Sequence, residues 1–172
     1  MIHEIRYETP QKNVDYSLPS IFLAGPTVRG NQTHLTSWRF EAVEEFKKQG
    51  FKGNLIIPEF VSKTESDQYR YDLPPWEYYG LSHSNVIMFW IPRTRELIGL
   101  TTNFEIGFWM ARDIKNVVYG RPNDAFRMKY VDIMWNLYNR EKRGEILVPI
   151  YESLHDTVEA AIVKLNVSRI LR

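Results

Sequence analysis

Short apolar runs alternate with amphipathic segments along most of the chain. Runs with the length and the β-branched or aromatic content of buried strands occur at four places: SIFLAGP (20–26), NLIIPE (54–59), NVIMFWI (85–91) and NVVYG (116–120). The third run is apolar throughout, which predicts the central strand of a parallel sheet covered on both faces. A later run, EILVPIY (145–151), favours an edge strand.

The segments between these runs predict helices, which are TSWRFEAVEEFKKQG (36–50), PWEYYGLSHS (75–84), NFEIGFWMARD (103–113), NDAFRMKYVDIMWNLYNREKRG (123–144) and SLHDTVEAAIVKLNVSRIL (153–171). Thr36 or Ser37 is the expected cap of the first helix and Gly50 its stop. Ser153 and Asp156 have capping-box spacing at the start of the last. The polar residues 1–18 are expected to form an extended lead-in, and 60–75 a long loop.

Strands that alternate with helices predict right-handed βαβ crossovers. The expected fold is α/β, with a doubly wound, mostly parallel sheet of about five strands and helices on both faces, in a single domain over 1–172. Ligands of such sheets bind beyond the carboxyl ends of the strands. The loops that follow the strands are therefore the places to look for chemistry.

Composition narrows the function classes. Hydrophobic residues make up 44% of the chain and the net charge is only +1, with no long run of one sign, so neither disorder nor binding to a nucleic-acid polymer or a membrane surface is expected. The absence of cysteine excludes disulfides, thiolate zinc sites and a cysteine nucleophile. The four histidines lack metal-ligand spacing, so we expect neither a metal nor a cofactor. The polar N-terminus lacks the apolar core of a signal peptide, and a cytoplasmic protein is expected.

Glu105, in the stretch GLTTNFEIGFW, has two interpretations. With Thr102 it has the T-x-x-E spacing of a capping box. Alternatively, it lies at a helix start that opens onto the predicted ligand crevice, where the helix dipole would keep the carboxylate ionised, as a nucleophile requires. Gly107, inside the same helix, predicts that a strand or a ligand comes close to the backbone there.

Seven motifs occur in order over residues 20–130: IFLAGP, SWRFEA, IIPE, WEYYGL, NVIMFWIPR, GLTTNFEIG and VVYGRP. Together they resemble the nucleoside 2-deoxyribosyltransferase-like family. This resemblance implies a flavodoxin-like fold and a glutamate that attacks the anomeric carbon of a nucleoside. It also implies a homo-oligomer in which a neighbouring subunit helps to close the pocket. The partners would be small-molecule nucleosides and free nucleobases.

Position by position, the resemblance makes Glu105 the nucleophile. The second catalytic acid matches Glu77 best, with Asp72 as the alternative alignment. Members of the family have a further aspartate before the nucleophile, which Asn103 or Glu96 would replace here. The implied reaction exchanges the base of a 2′-deoxynucleoside, with retention, through a covalent glycosyl-glutamate intermediate. Alternatives are an N-glycosidase that hydrolyses nucleosides or nucleoside 5′-monophosphates, and a non-catalytic nucleotide-binding module.

Candidate substrate-binding residues lie mostly in the loops after the strands, and they are Gly25, Pro26, Thr27, Arg29, Trp38, Arg39, Glu59, Trp76, Arg93 and Asn103. Arg29 is either a surface charge or a residue that binds a 5′-phosphate. Glu59 is either a solvated strand end or a contact to the base. Trp76, with Tyr78 and Tyr79, forms either a packed cluster or a stacking wall for the base. Arg93 pairs with a nearby acid or binds substrate.

Overall fold

The computed structural model describes residues 1–29, 32, 34–61, 72–143 and 148–170. Their strands form one parallel sheet in the order β1-β3-β2-β4-β5. The strands are β1 (Ile2–Ile5), β2 (Ser20–Ala24), β3 (Gly53–Ile56), β4 (Val86–Trp90) and β5 (Val117–Gly120). The order reverses direction at β2, as in flavodoxin-like doubly wound folds, and this switch point is where such sheets bind ligands.

The described part of the chain contains α-helices that cover both faces of the sheet. They are α1 (Trp38–Lys48), α2 (Leu73–His83), α3 (Leu100–Asp113), α4 (Lys129–Arg143) and α5 (Leu154–Ile170). Two short 3₁₀ turns span Gln11–Asn13 and Ile114–Asn116. None of the described helices is long and apolar enough to cross a membrane.

Two hydrophobic cores lie on opposite faces of the sheet. One packs α1 and α5 against alternate strand residues such as Leu23 and Met88. The other packs α2, α3 and α4 against the intervening residues, such as Phe22 and Phe89. Every residue of β2 to β5 is buried, because both faces of these strands are covered. This result confirms the predicted fold class.

Two predictions about the sheet were wrong. The lead-in is not merely extended, because Ile2–Ile5 forms edge strand β1 beside β3; its IHEI sequence has too little apolar character to reveal a strand. The run at 85–91 forms an interior strand, but the middle of the five is β2. The predicted edge strand at 145–151 lies partly outside the described residues, and its described end makes a single parallel bridge between Tyr151 and Gly120.

Helix boundaries follow the predicted signals at most ends. The Ser37 hydroxyl caps α1 by accepting the Arg39 amide at 3.2 Å, and Ser153 accepts the Asp156 amide at 3.0 Å. Gly50 follows α1 in the left-handed region, with φ of 73°. Helix α2 begins at Leu73, close to the prediction. Helix α4 begins at 129, not 123, and residues 123–128 form turns between β5 and α4. Most of the predicted loop at 60–75 lies outside the described residues.

Candidate active site

Arg39 organises the loop that follows β2. It lies in the first turn of α1, is 1% exposed, and donates through Nε to the Leu23 carbonyl at 2.9 Å and through Nη2 to the Gly25 carbonyl at 2.9 Å. Its Nη1 contacts the Pro26 carbonyl and Glu59 Oε1, the latter at 2.8 Å. Because the buried Arg39 guanidinium donates to several backbone carbonyls, it anchors the loop after β2 at the carboxyl end of the sheet.

Two glycines allow this loop to contact its neighbours. Gly25 has φ of 151°, and a Cβ there would lie 2.2 Å from the Trp90 carbonyl oxygen at the end of β4. Gly99 has φ of 58°, and a Cβ there would lie 2.6 Å from Pro26 Cβ. The loop after β2 therefore contacts both the end of β4 and the start of α3, which brings the first turns of α3 beside Gly25.

The start of α3 corrects the capping prediction for Glu105. The helix begins at Leu100 with Gly99 as its cap, so Thr102 and Glu105 lie inside it and form no capping box. Thr101 and Glu105, four residues apart, face the same cavity. No described residue lies within 4 Å of a Cβ built on Gly107, so no described strand makes the predicted close approach to that glycine, and the ligand alternative stays a prediction.

The cavity lies between the loop after β2, helix α2 and the start of α3. Its lining residues are Phe22, Ala24, Gly25, Thr27, Arg39, Pro58, Glu77, Leu81, Thr101 and Glu105. The enclosed volume is about 30 Å³, room for about one water molecule. Thr101 is exposed and Thr27 partly exposed, so solvent reaches the lining from their side. Both predicted catalytic acids therefore face one small cavity at the carboxyl edge of the sheet.

Tyr7 holds one of these two acids. Its hydroxyl donates a hydrogen bond to Glu77 Oε1, which joins the segment after β1 to helix α2. Burial and the negative charge of Glu77 raise the pKa of Tyr7, so the phenol stays protonated and acts as a donor. Burial also raises the pKa of Glu77, against the opposing effects of the Tyr7 hydrogen bond and of the positive charges of Arg39 and Arg29.

Glu105 is the more strongly perturbed acid. Burial, together with the negative charge of Glu77, raises its pKa to about 7, and the positive charge of Arg39 only partly offsets them. Burial therefore opposes the ionisation that the helix start was expected to favour. Near neutral pH the free site populates both protonation states of Glu105. Neither Glu77 nor Glu105 forms an ion pair with a described residue.

Glu59 and Trp38 have structural contacts. Glu59 is 9% exposed, and its Oε1 accepts hydrogen bonds from Arg39 Nη1 and from the Ser37 hydroxyl at 2.7 Å. Trp38 is buried and donates from Nε1 to the Pro26 carbonyl at 3.0 Å, behind the loop. Both residues support the loop after β2, and neither lines the cavity.

The aromatic wall predicted on α2 does not form. Trp76 is buried, donates from Nε1 to the Thr9 carbonyl at 2.9 Å and packs edge-on against Tyr7. Tyr79 stacks on His83 with ring centroids 3.8 Å apart, and Tyr78 accepts a hydrogen bond from Arg112. None of these three aromatic side chains lines the cavity, and the packed-cluster alternative is correct for Trp76.

The remaining predicted residues lie outside the cavity lining. Arg93 is buried and donates from Nη2 to Asn103 Oδ1 at 2.6 Å, so an amide oxygen takes the place of the predicted acid. Both residues lie outside the cavity lining. Glu96 pairs with His34 at 2.8 Å on the surface, also outside the lining. Arg29 is exposed and lies outside the lining, yet its positive charge lowers the pKa of Glu77.

Sequence reasoning missed Tyr7 and Thr101. Thr101 follows from Glu105 once the helix is known to begin at Leu100, because residues four apart share a face. Tyr7 contacts a residue 70 positions away, in a segment with no recognisable element, and no local signal identifies it.

No protein-family model matches the chain, and a search of curated proteins found no match. The chemical argument therefore depends on the site itself. Two carboxyl groups with raised pKa values face one cavity, one of them held by a phenol, at the edge of the sheet where ligands bind. Such a pair is suited to a reaction that needs one ionised and one protonated carboxyl group.

Proposed function

We propose that the protein is a nucleoside 2-deoxyribosyltransferase, in which Glu105 is the nucleophile and Glu77 the general acid and base. The observation that carries this proposal is that both carboxyl groups face one cavity and that the charge of Glu77 raises the pKa of Glu105. The ordered motifs shared with the deoxyribosyltransferase-like family support the same assignment.

In the first step, an oxygen of ionised Glu105 attacks C1′ of the deoxyribose while the bond from C1′ to the base nitrogen breaks. Protonated Glu77 gives its proton to the departing base. A second base then attacks C1′, the ester to Glu105 breaks, and Glu77 takes up the proton released by the incoming base. Two inversions at C1′ give net retention.

These two steps require that the single proton shared by Glu77 and Glu105 is on Glu77 when the base departs. In the free site Glu105 competes for that proton, because its own pKa is about 7. The positive charge that develops at C1′ beside Glu105 favours the ionised form of Glu105. As the bond from C1′ to the base breaks, the proton is therefore favoured on Glu77. The Glu77 carboxyl group also accepts a hydrogen bond from the Tyr7 hydroxyl.

The size of the cavity limits how substrate binds. A volume of about 30 Å³ admits only the edge of a sugar, so C1′ enters between the acids while the rest of the nucleoside extends past Thr27 and Thr101. In the proposed family a neighbouring subunit helps to close the pocket. The exposed apolar side chains of Leu100, Phe104 and Phe108, one turn apart on α3, support a homo-oligomer that buries this face. Sedimentation of wild type and of Phe104→Glu tests this, since the variant should be monomeric.

The direct test incubates the protein with deoxyadenosine and a second free base and separates the products by chromatography. Appearance of a new deoxynucleoside supports transfer, whereas free adenine without exchange indicates hydrolysis. Glu105→Gln should lower the rate at least about 10⁴-fold, because removal of a covalent nucleophile costs several factors of ten. Binding of the nucleoside with no product at all would favour a non-catalytic nucleotide-binding module.

The N-glycosidase of nucleoside 5′-monophosphates is the second candidate. It is favoured by Arg29, an exposed guanidinium near Glu77 that forms no ion pair with a described residue. Arg29→Ala should then lower turnover of monophosphates about tenfold or more while nucleosides are little affected, since a charge-assisted hydrogen bond to phosphate is lost. Equal effects on both substrates would remove this candidate.

A further inference from the structure

Three arginines contact Phe126, one through its backbone carbonyl and two through their guanidinium groups, on the flank of α3 that faces away from the carboxylate cavity. Arg93 follows β4, and its carbonyl accepts the Phe126 amide at 2.9 Å. The guanidinium carbons of Arg95 and Arg127 lie 5.1 and 5.0 Å from the centroid of the Phe126 ring. The loops after β4 and β5 therefore place three arginines at the carboxyl edge of the sheet, two of them with their guanidinium groups against one aromatic ring.

The charge of Arg93 is not compensated within the described part of the chain. Arg93 is 5% exposed, yet it forms no ion pair there, and the one hydrogen bond that its side chain makes to a described residue runs from Nη2 to Asn103. Its Nε is buried without an acceptor. A buried cation without a counter-charge is unfavourable, and burial accordingly lowers the pKa of Arg93. A bound anion would supply the missing charge.

The loop between β5 and α4 is held in place independently of any ligand. Arg121 donates to both oxygens of Asp132, the closer at 2.7 Å from Nη2, and to the Pro122 carbonyl at 3.0 Å. This pairing also neutralises Asp132, an acid close to the group in the chain. Arg127 has φ of 54°, a backbone conformation that residues with a side chain rarely adopt. The fold thus maintains an uncommon backbone conformation at one of the three arginines.

We propose that Arg93, Arg95 and Arg127 form an oxyanion site that binds a phosphate group. The planar fork of a guanidinium matches phosphate oxygens, and the site lies beyond the carboxyl ends of β4 and β5, where sheets of this kind bind ligands. Asn103 connects Arg93 to α3 two residues before Glu105. The proposal does not depend on glycosyl transfer, because it concerns binding on the opposite flank of that helix.

Calorimetric titration with inorganic phosphate at constant ionic strength tests the proposal. The test variant is Arg95→Gln/Arg127→Asn, in which both changes are exposed and Asn tolerates the positive φ. The matched control is Arg112→Gln, which also removes an exposed arginine stacked on aromatic rings, those of Phe108 and Trp109. The double variant should bind phosphate at least about tenfold more weakly than wild type, and the control should match wild type. Equal affinity in all three proteins, or no binding by wild type, would overturn the proposal.

A second titration identifies the source of the phosphate, using a nucleoside 5′-monophosphate and the same nucleoside without phosphate. If the monophosphate binds more tightly than both inorganic phosphate and the nucleoside, and the double variant removes that gain, the site takes the phosphate of a nucleotide. If the monophosphate gains nothing over inorganic phosphate while the double variant still weakens both, the ligand is free phosphate. These binding measurements do not depend on turnover, so the oxyanion site and the transferase proposal can fail separately.

Discussion

Two groups of carboxylates lie on opposite sides of the same loop, and they differ in charge balance. Glu59, behind the loop, is paired with Arg39 at 2.8 Å and with the Ser37 hydroxyl. Glu77 and Glu105, in front of it, have no cation within ion-pair distance among the described residues, and the charge of Glu77 raises the pKa of Glu105. Burial and the negative charge of Glu77 raise the pKa of Glu105 to about 7, whereas Glu59 Oε1 accepts two hydrogen bonds, one of them from a cation.

This difference separates a carboxylate that stabilises the fold from carboxylates that are available for chemistry. A buried acid with a matched cation keeps its charge and fixes its partner. Buried acids without a matched cation have raised pKa values, and their charge does not stabilise the fold. The two groups should therefore respond in opposite directions when a charge is removed.

The largest expected effect on stability comes from Arg39. Arg39→Leu should lower the free energy of unfolding by about 3–5 kcal/mol, because it leaves Glu59 buried without a counter-charge and removes the donors to the loop carbonyls. Urea unfolding measures the loss. Arg140→Leu, at an exposed arginine, is the control and should change stability by at most about 0.5 kcal/mol. A loss below about 1 kcal/mol in Arg39→Leu would contradict the structural role of the ion pair.

Glu105→Gln should have the opposite effect and raise the free energy of unfolding above pH 7. The folded pKa of about 7 lies above the ordinary value of 4.5, so ionisation destabilises wild type progressively as pH rises from about 4.5 to 7. At pH 8 the variant should be more stable than wild type by about 1–3 kcal/mol, and below pH 4 the two should be equal. Urea unfolding at both pH values measures this. A variant less stable than wild type at pH 8 would show that the charge of Glu105 is compensated.

Tyr7→Phe tests the support of Glu77. Turnover should fall about tenfold, because Glu77 loses a hydrogen bond made to its charged form. The same loss raises the pKa of Glu77, so the basic limb of the pH–rate profile should move to higher pH. Tyr78→Phe, at an exposed tyrosine on the same helix as Glu77, is the control. If the basic limb of the pH–rate profile does not move, Tyr7 contributes only packing and does not support Glu77.

The smallest expected effect is a shift in the titration of Glu105 itself. Glu77→Gln removes a negative charge that raises the pKa of Glu105, so this pKa should decrease. The shift is modest because burial, which the variant leaves in place, is the larger cause. Carboxyl ¹³C resonances followed over pH in the free protein measure it. A pKa unchanged or raised in the variant would mean that the two acids do not interact.

Most of the fold could be predicted from the chain because β2 to β5 are buried on both faces and their sequences are nearly all apolar. Strand β1 could not, because an edge strand with two exposed residues needs little apolar character and its partner β3 is far away in sequence. The turns before α4 were mistaken for helix because the contacts that hold them include residues far away in sequence, such as the bond from the Phe126 amide to the Arg93 carbonyl.

The part of the site that could be predicted is the part that follows from the order of motifs and strands along the chain. The motifs and the rule for carboxyl ends of strands indicated Glu77 and Glu105, which face one cavity. Sequence could not show that Glu59 is neutralised by Arg39, that Trp76 faces the core or that Tyr7 reaches Glu77. Each depends on which side chains meet across elements, and a raised pKa such as that of Glu105 depends on the burial that results.

The most direct test of the account is mass spectrometry of the protein quenched with acid during turnover of deoxyadenosine. The account predicts a protein carrying one deoxyribosyl group, located by peptide mapping on Glu105 and absent from Glu105→Gln. Release of adenine with no adduct on Glu105, or a Glu105→Gln variant that turns over as fast as wild type, would contradict it.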